Sequence, residues 1–124
     1  MPDGREPSIR VIMMPKDTNA YGTIFGGVIL SFIDQAGAVE AKRYGAEFLV
    51  TVAMREVVFH EPVHVGDLVS FYTRLVRIGR TSITVSVEVF AQRSEGVGSR
   101  VKVTEAEVTY VNLDERRHPT PIRK

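Results

Sequence analysis

Apolar and polar residues alternate along "SITVSVEVFAQ": Ile83, Val85, Val87, Val89 and Ala91 share one side, and Thr84, Ser86, Glu88 and Gln92 the other. A period of two is the mark of a β-strand with one face in a core and the other wet or partly covered. Strands are also predicted from Phe48 to His60, Asp67 to Ile78, Thr81 to Arg93 (which holds the alternating stretch) and Arg100 to Asn112. A shorter one runs from Ser8 to Met14. In the last long segment Val101 and Val103 keep one phase, while Ala106, Val108 and Tyr110 keep the other, which predicts a bulge near Thr104. "EPVHVGD" and "RIGRT" read as turns, and "SEGVGS" as a Gly-rich hairpin loop.

A different period appears from about Phe25 to Tyr44. At 100° per residue, Phe25, Val28, Ile29, Phe32, Ala36 and Val39 form one broad apolar face, and Ser31, Gln35 and Lys42 a narrow polar stripe. The pattern predicts a helix buried nearly all round, with Glu40 bending out to solvent in the last turn and Gly45 near the C-cap. Pro15 and the loop "KDTNAYGT" precede it. The element order is strand, helix, then four strands joined by hairpin-length turns. An antiparallel sheet covering one long central helix follows, an α+β arrangement.

Asp34 is out of place in that helix. It lies roughly 80° from the polar stripe, beside Leu30, Gly37, Ala38 and Ala41, with no cation three or four residues away. A side built of Gly and Ala lets a ligand or another backbone come close. The helix also opens on Gly26 and Gly27, where free amides and the positive end of the helix dipole can receive an oxyanion. Acid and amides are eight residues apart, about 12 Å on an ideal axis. The plainer alternative is an Asp34 that reaches solvent at a subunit seam or pairs with an arginine from a strand.

Composition narrows the chemistry. With 124 residues, one domain is expected, its core from about 8 to 112 and its tail, 113–124, basic, Pro-containing and flexible. A net charge of +1 provides no general attraction to nucleic acid or membranes. The absence of cysteine removes disulfides, thiolate metal sites and a cysteine nucleophile. No run approaches the ~20 apolar residues of a membrane span, and the N-terminus lacks a signal-peptide core, so a cytoplasmic protein is expected. His60 and His64 flank Pro62 in a turn and do not supply three converging ligands; no metal is expected. Neither a phosphate-binding loop, a dinucleotide fingerprint nor a nucleophile elbow is present.

The stretches "DTNAYGTIFGGVILSFIDQAGAVEAKR" and "VTVAMREVVFHEPVHVGD" resemble the acyl-CoA thioesterases of the hotdog fold, in the acyl-CoA hydrolase group. The likeness runs from about Met13 to Val111. It implies a central helix wrapped by a curved antiparallel sheet, dimers with active sites at their interface, and further assembly into a hexamer, a trimer of dimers. It implies acyl-CoA as substrate, with coenzyme A as part of that substrate and no separate cofactor. It also implies Asp34 as general base or nucleophile and the Gly26 amide, with Gly27 behind it, as the donor that polarises the thioester carbonyl. Some relatives carry an Asn in the loop before the helix, and a Ser or Thr arriving from the partner subunit, to position water; Asn19 and Thr51 fall at those places. Where several members of the wider superfamily have His before the first glycine, this chain has Phe25.

Coenzyme A carries phosphates, so cations are needed. Arg80 and Thr81 in "GRTS", with Arg93, Arg100 and Lys102, are candidates, and Arg116, Arg117, Arg123 and Lys124 in the tail are further ones. Surface arginines at hairpins are otherwise simply solvated. Two other readings stand beside hydrolysis: a non-catalytic acyl-CoA binding or sensing module on the same fold, and a dehydratase of 3-hydroxyacyl thioesters. The second would usually want a His paired with an acid, and no His lies in the loop-helix stretch.

Overall fold

The structure, a computed structural model, describes residues 4–93 and 100–122. The "SEGVGS" loop, Arg123 and Lys124 therefore lie outside the described residues, as do the first three. Five strands and one α-helix follow in the order β1 (Ile9–Ile12), α1 (Gly26–Lys42), β2 (Phe48–Arg55), β3 (Leu68–Ile78), β4 (Ser82–Gln92) and β5 (Arg100–Leu113), with a single 3-10 turn at Pro15–Asp17. The strands form one sheet in the order β1-β3-β4-β5-β2, antiparallel throughout. The helix packs against β3, β4 and β5, and the sheet curls round it.

The alternation in β4 behaves as its pattern requires. Ile83, Val85, Val87, Val89 and Ala91 are all fully buried, and the opposite side carries half-buried Ser86, Glu88 and Gln92; Thr84 on that side is corrected to buried, its hydroxyl bonded to that of Thr109. From the helix, Ile29, Ile33, Ala36 and Ala41 meet them in the core. The register between β4 and β5 slips between Val89 and Phe90, whose partners are Thr104 and Lys102, so Val103 is the extra residue. That bulge lies one position from the one expected at the change of phase. Further slips at Val52 in β2 and Val76 in β3 bend the sheet in the same way.

Several expectations are corrected. The helix is not buried all round: Phe25 and Val39 are 55% and 43% exposed, and the core-facing line is instead Ile29, Ile33, Ala36, Gly37, Glu40 and Ala41. Glu40 turns inward rather than out, because Tyr44 Oη and Thr73 Oγ1 donate to its two oxygens and Arg43 stands beside it. The second strand stops at Arg55, before a Glu56 in the left-handed region (φ 58°), and the His60 amide then bonds the carbonyl of Val103. The tail folds back on the sheet as far as it is described. Asp114 accepts the amides of Arg116 and His118, and the Thr120 amide reaches the carbonyl of Asn112.

Among the described residues both outer strands leave an edge open. β1 is only four residues long, whereas β2 has eight and is hydrogen-bonded on one side, to β5. On β2, Phe48, Val50 and Val52 are 56%, 42% and 56% exposed. An open, apolar edge of this length is a template for pairing.

Candidate active site

The loop before the helix is fixed by its own hydrogen bonds. The Asn19 side-chain oxygen accepts the amides of Tyr21 and Thr23, while its Nδ2 donates to Thr23 Oγ1 at 3.0 Å. Ile24 and Phe25 give their amides to the carbonyls of Val63 and Asp17. Phe25 is thereby delivered as the N-cap in an extended conformation, φ −62° and ψ 130°, with no side chain capping the helix. The next two amides, of Gly26 and Gly27, meet no acceptor among the described residues. Being N1 and N2, they have none within the helix.

The two glycines differ in what surrounds them. A Cβ on Gly26 would meet the ring of Phe59 at 3.7 Å, an ordinary contact, and Gly26 lines a cavity of about 340 Å³ with Ile24, Ile29, Phe59 and His60. A Cβ on Gly27 would come within 2.9 Å of the Phe25 ring. Gly27 therefore lets the Phe25 ring lie against the first helical turn.

Two turns along the helix, half-buried Asp34 accepts a hydrogen bond at 2.6 Å on Oδ1 from Thr51 Oγ1, on β2. Among the described residues no Lys, Arg or His forms an ion pair with it. No arginine among the described residues pairs with this acid. Thr51 thus reaches Asp34 within its own chain. The same chain does not gather the whole set: the side-chain bonds of Asn19 stay in its loop, and the cavity that Gly26 lines includes neither Asp34 nor Thr51.

A second, larger cavity of about 580 Å³ is lined by Ala38, one helical turn beyond Asp34, and by Phe48, Leu49, Val50 and Leu113. Lys42, Glu47 and Arg117 supply charge to the same lining. Met54 packs half-buried against the core.

The basic candidates divide. Arg93 is spent on structure, donating at 2.6 Å to Asp67, which is 1% exposed, and to the carbonyl of Pro62, with Glu61 beside it. Lys102 lies between Glu105 and Glu88, and its hydrogen bond to Glu105 is the largest cause holding its ammonium pKa above the ordinary value. Arg80 and Arg100 are exposed, and their guanidinium groups meet no acceptor among the described residues. The Thr81 carbonyl accepts the amide of Asn112, which ties the Arg80 loop to β5.

One residue at the site escaped the sequence reading. Tyr110, 1% exposed, donates its hydroxyl at 2.6 Å to the backbone carbonyl of Asp34. The only signal for it was Gly37, a glycine inside a helix, which marks a close approach but not by what.

Comparison with known proteins adds to this geometry. The pattern of the Thioesterase superfamily matches residues 21–98. An acyl-CoA thioester hydrolase, YciA, of Salmonella typhimurium is 43% identical over 92% of this chain and 87% of its own length. The crystal structure of a hexameric hotdog-fold thioesterase of Campylobacter jejuni superposes with a TM-score of 0.90 at 49% identity, covering 97% of this chain and 92% of that one. A hexameric thioesterase of Yersinia pestis superposes equally, TM-score 0.90, at 39% identity over 100% and 99%.

Proposed function

The chain belongs to the thioesterase superfamily and has the hotdog fold, and from that premise we propose that it hydrolyses acyl-CoA to a free acid and coenzyme A with Asp34 as general base. The observation that carries the reading is the contact of Asp34 with Thr51, on a carboxylate that has no cationic partner among the described residues. With Oδ1 held by Thr51, Oδ2 takes the proton of a water as that water's oxygen attacks the thioester carbonyl carbon. The electron pair of the C=O moves onto oxygen, where the Gly26 amide and the helix dipole stabilise it. Collapse re-forms the carbonyl and expels the coenzyme A sulfur, which recovers the proton.

One chain separates these groups by about 12 Å along the helix. The reading therefore takes the acid from one protomer and the helix start, with Asn19, from a second, joined along β2 as the open apolar edge. Assembly as a hexamer, a trimer of dimers, accords with the hexameric relatives. The acyl chain enters the cavity past Ala38, and Arg80 and Arg100 meet the phosphates of coenzyme A.

Acyl-CoAs of graded chain length, with release of the free thiol as readout, test the proposal. Wild-type protein releases thiol, and Asp34→Asn does so about 10² to 10⁴ times more slowly with substrate binding retained. Tight binding of acyl-CoA without thiol release by the wild type would instead make the protein a sensor. Near-wild-type turnover by Asp34→Asn would remove the acid from its assigned role.

A further inference from the structure

We propose that Tyr110 is a positioning residue for Asp34, locking the helix backbone at that residue so that the carboxylate is held at a fixed place and angle; this rests on the reading of Asp34 as the base. Thr51 on β2 and Tyr110 on β5 are direct cross-strand partners in the sheet register. From this single rung Thr51 Oγ1 takes the side chain of Asp34, and Tyr110 Oη takes its main-chain carbonyl, each at 2.6 Å. Two neighbouring side chains thus hold both ends of one residue.

The carbonyl involved is one that in an α-helix already accepts the amide four residues on, here that of Ala38. A second donor constrains the tilt of that peptide, and with it the direction of the Asp34 Cα–Cβ bond. Gly37 makes the approach possible. A Cβ at position 37 would overlap the Tyr110 hydroxyl and lie 3.1 Å from the ring carbon that bears it. Glycine is a poor residue for a helix interior, and here it leaves room for a hydroxyl to reach the backbone of the acid. Burial first, and then the charge of Asp34, push the ionisation of the Tyr110 phenol upward, so it remains a donor across the working pH range. A phenylalanine would pack the same space without an oxygen to satisfy. The hydroxyl is the part that needs a role.

The test is a cycle of Tyr110→Phe, Asp34→Asn and the double variant, each measured for kcat, KM and melting temperature with one acyl-CoA. Tyr110→Phe is expected to lower kcat about tenfold, the order of one lost hydrogen bond, with KM within twofold. In the Asp34→Asn background the same change is expected to cost nothing further. An equal loss in both backgrounds, or an unchanged kcat in Tyr110→Phe, would overturn the proposal, since a purely structural tyrosine acts whatever residue 34 is. If Tyr110→Phe does not fold, Gly37→Ala, which displaces the hydroxyl without removing it, replaces it in the cycle under the same criteria. Full activity in Asp34→Asn defeats the base reading and this inference with it. An impaired Asp34→Asn beside an unimpaired Tyr110→Phe defeats this inference alone.

Discussion

Thr51 and Asp34 are joined side chain to side chain at 2.6 Å, which ties the middle of the helix to the open edge strand of the sheet. A hydrogen bond to a charged group contributes about 1.5–3 kcal/mol, or roughly ten- to a hundredfold in rate if it is needed at the transition state. Thr51→Val is therefore expected to lower kcat by about that factor, and Thr51→Ser to restore most of it. Equal activity in Val and Ser variants would leave the hydroxyl without a catalytic purpose.

The helix start permits an unusually clean deletion of an amide. Gly26 is N1 of the helix, a position that tolerates proline, and Phe25 before it is already extended, as a residue before proline must be. Gly26→Pro should keep the helix by circular dichroism while lowering turnover about 10² to 10³, the usual effect of a lost oxyanion donor. Gly26→Ala, whose Cβ meets only the Phe59 ring at 3.7 Å, is the matched control with the amide retained. If the two variants turn over alike, the Gly26 amide is not the donor.

Arg93 separates a structural cation from a substrate-binding one. Its partner Asp67 is almost wholly buried, and removing one member of such a pair strands the other. The usual penalty is about 3–5 kcal/mol, or a fall of roughly 10 to 20 °C in melting temperature for a chain of this size. Arg93→Ala is expected to show that fall with an unchanged KM, whereas Arg80→Ala should raise KM for acyl-CoA about threefold and leave stability alone. The opposite pattern in Arg93→Ala would return it to the phosphate site.

β2 makes the assembly testable. Placing a charge on the exposed apolar edge, as in Val52→Asp, should reduce the mass seen by light scattering and abolish thiol release together, because the proposed site needs two chains. Asp34→Asn is the control that loses activity while retaining its mass. Hydrolysis by a monomeric Val52→Asp would show that one chain suffices.

Tyr110 also sets an alkaline limit. Its phenol pKa is raised by burial and then by Asp34, and that of Tyr44 by burial and then by Glu40, so the folded chain holds both protons more tightly than the unfolded chain. The stability this provides is intact below ~10, the ordinary phenol value, and is lost as pH rises towards the elevated native values. Melting temperature should decline above about pH 10, and decline less steeply in Tyr110→Phe. An unchanged slope in that variant would place the titration elsewhere.

How far the site was legible follows from the range of each signal. Asp34 stood out because its misfit is local: an acid off the polar stripe, without a cation one turn away. Gly26 and Gly27 were legible because a helix start exposes amides whatever packs around it. Arg93 was not, since its fate depends on Asp67, 26 residues earlier in the chain and brought beside it by the pairing of β3 with β4, and an arginine at a hairpin looks the same whether it is buried or solvated. Glu40 was misread for the same reason. A carboxylate on an apolar face is expected to escape to water unless hydroxyls meet it, and here Tyr44, one turn on, and Thr73, on a strand 33 residues away, both do.

The sequence by itself determined the order of elements, the faces of β4, the neighbourhood of the β5 bulge and the odd acid, because periodicity and helix ends are set by residues a few positions apart. Tertiary structure alone decided that Thr51 and Tyr110 share a rung, that Gly37 opens a place for the tyrosine, and that one chain holds Asp34 and Thr51 together while Gly26 lines a cavity that includes neither. Those facts depend on the register of strands some sixty residues apart in the chain, and register is decided by the packing of the whole sheet around the helix.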